Sequence, residues 1–218
     1  MYTSLTKTIE KINWKHWLFF FLLSQSIYIL MLSTIIPKIS LETGGMKTFD
    51  MMPLGYSYHY ANSFLSQLTE HGYRLYKYVQ LPLDIFFPIF NFAAGSCMLV
   101  LLLGSYSKLK REKRTFQFFL WIPLFFSFLA MLCDYLENIL IFTMLSIKEN
   151  IPIIIVSTAN VFTIIKSMST TIFYSICLLI FILISVSWVQ YKIREKKKLG
   201  KLQYTGEEKS TIEDGNPS

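Results

Sequence analysis

Charge is scarce in this sequence: 16% of its 218 residues are Asp, Glu, Lys or Arg, against 53% hydrophobic. That balance excludes a disordered chain and departs from the soluble globule, in which about a quarter of residues are charged. Cysteine is scarce too. Cys97, Cys133 and Cys177 each fall inside an apolar block, so neither a disulfide framework nor a zinc-ligand spacing can be drawn. Cys133 has no histidine at its level to activate it as a nucleophile. HExxH, GxSxG, a DxxD-type metal cluster and a Walker loop are all missing, so no standard motif names a reaction. The sole N-x-S/T pattern, Asn216-Pro217-Ser218, is blocked by its proline and leaves topology unmarked. Gly and Pro are absent between Pro152 and Gly200, so nothing in that run invites a turn.

What is present is four apolar blocks, at about 17–36, 81–103, 116–147 and 151–189, each long enough to cross a membrane. Trp17 to Ile36 carries no charge, and its exit, Ser33-Thr34-Ile35-Ile36-Pro37, lacks the small-residue site of a cleaved signal peptide. It reads as a retained span, with Trp14 and Trp17 as headgroup anchors. The last block is about 58 Å as a single helix at 1.5 Å per residue, and one helix projecting past the bilayer is expected. The formal charge of +7 gathers at the ends of the blocks. It leaves no folded basic face for nucleic acid. Lys7, Lys11 and Lys15, the loop with Lys108, Lys110, Arg111, Lys113 and Arg114, and residues 192–201 are all basic. The positive-inside rule then places both termini in the cytoplasm and the 37–80 segment outside. Residues 201–218 read as a disordered cytoplasmic tail.

The 37–80 segment is patterned. Gly44-Gly45 and Pro53-Leu54-Gly55 mark turns, and Ser57 caps a helix expected to run to about His71 with Gly72 as its stop. Ala61, Phe64, Leu65 and Leu68 form one stripe of that helix, and tyrosines surround it. The fold expected is all-α: an integral membrane four-helix bundle over residues 1–200, with a short helical cap on the outer face.

Charges inside apolar helices are functional candidates that need partners. Asp134, Glu137 and Asn138 share a helix face at i, i+3 and i+4. Asp84, Pro88 and Asn91 share another, and Lys166 is the lone base of the last block. Counted from the cytoplasmic helix ends, Asp84, Glu137 and Lys166 come out about 30–35 Å up, near the outer edge of a roughly 30 Å hydrocarbon core. This predicts a shared polar pocket beneath the cap, in which Lys166 contacts at least one carboxylate. His59, His71 and Arg74 are further candidates from the cap itself. Neither a metal nor a cofactor is expected. The functional expectation is a non-enzymatic membrane component (a sensor, an assembly factor or a partner-binding subunit) in the lipid bilayer, with a lipid or protein partner at its outer face. The alternative is a small intramembrane enzyme or carrier for a lipid or cation at the outer leaflet, using Asp134, Glu137 and Lys166.

Several short motifs run together along residues 17–190: Asp50-x-x-Pro53-x-Gly55-Tyr56-Ser57, the Gly72-x-Arg74 pair followed by Tyr76, Asp84-x-x-Phe87-Pro88, Asp134-x-x-Glu137-Asn138, and Lys166 in the final block. This pattern resembles a largely bacterial family of small four-span integral membrane proteins without an established activity. Gly72-Tyr73-Arg74 departs from the adjacent Gly-Arg of that family, and Asn91 stands where an aromatic is usual. The resemblance implies a bacterial inner membrane and the same choice of residues. It implies no reaction.

Overall fold

The computed structural model describes residues 12–110, 113–148 and 150–213. Four helices in it are long and apolar enough to cross a membrane, and among the described residues there is no strand. The expectations resting on Lys7, Lys11, Arg111 and residues 214–218 lie outside the described residues.

The first helix, α1 (Trp14–Leu41), opens with a reciprocal cap. The Asn13 side chain accepts from Lys15 N and His16 N, and His16 Nδ1 accepts from Asn13 N. Its predicted end at Ile36 is passed. Pro37 can neither donate to the helical ladder nor fit a tight turn before it. The helix widens to a π stretch over Met31–Ile35 immediately before that residue, then resumes as Ile36–Leu41.

Gly44 and Gly45 then turn the chain with positive φ, as their pairing predicts. Residues 46–57 dip between the helices as a mostly irregular plug with one 3₁₀ turn, Phe49–Met51. Phe49 is fully buried, its ring 4.7 Å from Tyr56 and 4.9 Å from Phe64. Ser57 caps the short helix α2 (Tyr58–Gln67) by accepting from Tyr60 N, and Ala61 and Phe64 bury its stripe. α2 ends before His71, because Leu68 is extended and Thr69 starts a new helix by accepting from Gly72 N.

That new helix, α3, runs from Glu70 through a π stretch at Tyr76–Gln80 and on along Leu81–Lys110. Gly72 is therefore no stop. It lies inside α3 where a Cβ would run into Glu42 and Leu68, so it serves close packing instead. The second span starts well before Leu81, and the cap shrinks to the residues between Leu41 and Glu70. Next come α4 (Lys113–Ile147) and α5 (Ile153–Glu213), the latter a single helix as expected. Residues 201–213, read from composition as a disordered tail, continue α5.

Helices α4 and α5 pack most extensively, α3 rests on both, and α1 lies outside against α3, with no comparable interface to α5. Two apolar cores result. One includes the plug and gathers Ile39, Phe49, Tyr76 and Leu145; the other, at the opposite end, gathers Leu99, Leu103, Phe173 and Cys177. The charged residues fall between them.

Candidate functional site

α4 and α5 meet through matched spacings. On α4, Asp134 and Glu137 are one turn apart; on α5, so are Thr163 and Lys166. Lys166 Nζ pairs with Glu137 and lies 3.3 Å from Asp134 Oδ1. Thr163 Oγ1 donates to Glu137 Oε1 at 2.6 Å, and Asn138 Nδ2 reaches Asp134 Oδ1 at 3.4 Å. Glu137 has no exposed surface at all. Burial of this kind is tolerated because each charge finds its opposite within the same layer.

α3 and the plug complete the layer. Gln80, inside the second π stretch, donates from Nε2 to Asp84 Oδ2 at 2.9 Å, and its Oε1 is buried without a partner. Tyr76, in the same π stretch, donates its hydroxyl to Asp50 Oδ2 at 3.3 Å. π stretches often mark functional positions, and this one turns two polar side chains inward. Asp50 stood in the sequence only as part of the resemblance motif Asp50-x-x-Pro53-x-Gly55, and the structure brings it into the cluster. Withdrawal from water pushes its carboxyl up to about 7; Lys166 opposes that rise, while Glu137 and Asp134 add to it. The plug is pinned by Asn160, whose Oδ1 accepts from Tyr56 N at 2.7 Å.

A cavity of about 560 Å³ opens beside this layer. Its lining includes Asp50, Gln80, Asp84, Asp134 and Lys166 together with Phe87, Phe92, Met131 and Phe173. Asp84, Pro88 and Asn91 all line it, as their shared face predicts, and Asn91 Oδ1 accepts from the Tyr174 hydroxyl at 3.2 Å. Tyr28 of α1 and Tyr174 of α5 are among its walls and are also exposed on the bundle surface. The cavity is partly open, and α1 makes no interface with α5 comparable to the one it makes with α3.

Two placements differ from expectation. His59, His71 and Arg74 are exposed and take no part in the cluster; Arg74 Nε pairs with Glu70 at 3.6 Å instead. The cluster is also not at the helix ends. Asp134 and Lys166 each lie 13 residues inside the cap-side ends Ile147 and Ile153, about 20 Å along their helices. Exposed Ile139, Phe142, Ile154 and Val161 continue the apolar surface on that side. The apolar helices are longer than one bilayer thickness.

Fold and site together define an all-α protein with four helices able to cross a membrane and an acidic, partly open cavity among them. No family model, curated protein or solved structure matches the chain. Among the described residues no group of three His, Cys, Asp or Glu is placed to hold a metal ion.

Proposed function

We propose that this chain is a non-enzymatic, multi-pass membrane component that binds a membrane-partitioned amphiphile within its bundle. The cavity carries the reading: it is partly open, it lies among all four long helices, and its lining combines carboxylates and Lys166 with Phe87, Phe92, Met131 and Phe173. The volume suits a small ligand. A guest dissolved in the bilayer has its tail at the right depth to enter sideways between Tyr28 and Tyr174. The charged residues favour binding over catalysis, since Lys166 is engaged by two carboxylates and Cys133 is buried. The flanking charges support cytoplasmic termini with the plug outside. The family resemblance supports a bacterial inner membrane. A sensor or partner-binding subunit fits this description, with ligand occupancy read out through the plug.

Mass spectrometry of gently solubilised protein tests the proposal. Wild type is expected to carry a discrete small-molecule or lipid species enriched over the surrounding lipid. Ala130→Phe, which fills the cavity from α4, is expected to lose it while still folding. A wild-type profile indistinguishable from bulk lipid would remove the proposal.

A further inference from the structure

Resting on that reading, we infer that Asp50, Asp84 and Gln80 form a subsite for a protonated amine, so that the guest is an amphiphile with an ammonium head. The argument is one of unmatched acceptors. Lys166 is shared between Asp134 and Glu137. Among the described residues, Asp50 accepts a hydrogen bond from the Tyr76 hydroxyl, at a long 3.3 Å, and Asp84 one from the Gln80 amide, and neither has an ion pair. The other end of that amide, Gln80 Oε1, is fully buried at the cavity wall without a donor. A buried acceptor left unpaired is costly, and a ligand that donates to it recovers the loss.

Two of the hydroxyls in the lining are already committed elsewhere. Thr171 Oγ1 donates back to the Ser167 carbonyl of its own helix, and the Tyr174 hydroxyl goes to Asn91. Four carboxylates thus face one lysine, and Asp50, Asp84 and Gln80, on the α3 and plug side, hold acceptors that this lysine does not pair; Asn138 Oδ1 on α4 is a further one. An ammonium has three N–H donors and one positive charge, which answers both deficits at once. A bare metal ion fits less well: among the described residues no three-ligand set exists, and the Lys166 ammonium stands beside the site. The aromatic lobe at Phe87, Phe92 and Phe173 supplies the place for the amine's apolar part.

Calorimetric titration of the full chain in detergent with 4-phenylbutylamine and with its neutral isostere 4-phenylbutanol tests the inference, at mildly alkaline pH where the amine stays protonated. The amine is expected to bind about tenfold more tightly than the alcohol, the factor that a charge-assisted head contact supplies. Asp84→Asn is expected to bring the amine down to the alcohol's affinity and leave the alcohol unchanged. Should that variant not fold, Asp50→Asn carries the same expectation. Equal affinity of the two probes in wild type would overturn the amine subsite and leave amphiphile binding standing. An amine preference that survives in both carboxamide variants would overturn the assignment to these residues. Binding of neither probe would sink the subsite and the cavity reading together.

Discussion

Lys166 holds a position that only its two partners make tenable, with its side chain mostly buried between Asp134 and the fully buried Glu137. Removing the lysine alone strands both carboxylates. Lys166→Met is expected to destabilise the protein by about 3 kcal/mol, and adding Glu137→Gln is expected to recover part of that loss. Thermal denaturation of the two singles and the double in detergent measures the coupling, and strict additivity would show the groups to be independent. Asp50 predicts a pH dependence. Its folded-state value, about 7, lies above that of an unfolded aspartate, so the folded protein binds the extra proton. The contribution of Asp50 to stability is then full below about pH 4, falls as pH rises from about 4 to about 7, and is level above. The groups facing it are Lys166, Asp134, Glu137, Asp84 and the Tyr76 hydroxyl. Melting curves across that range should flatten in Asp50→Asn; an equal slope in the variant would assign the effect elsewhere. The Lys166 pairing was legible because charge in an apolar helix demands a partner. Asp50 was not, because helical periodicity says nothing about how deep an irregular segment descends. The one available signal was its isolation among Phe49, Met51 and Met52.

The elements that shape the cavity are the irregular ones. Two π stretches, before Pro37 and at Tyr76–Gln80, set the walls contributed by α1 and α3, and the plug closes the space between the helices. Irregular backbone at this depth survives only where protein satisfies it, as Asn160 does for Tyr56 N. Gly55 makes that approach feasible: its φ is +91°, and a Cβ there would collide with the Asn160 side chain. Gly55→Ala is expected to cost about 2 kcal/mol or more and to loosen the plug. Faster proteolysis between Gly45 and Ser57 with the long helices intact would report this, and wild-type protection would refute it. Local chemistry made the Ser57 cap and the Gly44-Gly45 turn readable. It misled at Gly72, since a glycine that ends a helix and one that admits a neighbour look alike in sequence. It misled again at Pro37, because a π stretch has no compositional mark.

At the scale of the whole molecule, the four apolar blocks made the all-α fold readable, and neighbouring residues show which faces turn inward. Phe87 lines the cavity while Phe86, one residue earlier, is exposed on the bundle surface. What composition hid was the placement of α1, which packs on α3 and makes no comparable interface with α5. Orientation is open to a labelling test. Cysteine at exposed Ser66 should react with an impermeant reagent on intact cells, and cysteine at Ser105 only after lysis; the reverse result would invert the topology. The central claim, that a bilayer-dissolved guest occupies the cavity, is tested most directly by photo-cross-linking in native membranes. p-Benzoylphenylalanine replaces Phe87 in one variant and Phe86 in the other. The Phe87 variant is predicted to trap one dominant species that excess 4-phenylbutylamine displaces, while the Phe86 variant samples bulk lipid and is unaffected. The same lipid mixture at both positions, insensitive to competitor, would contradict the account.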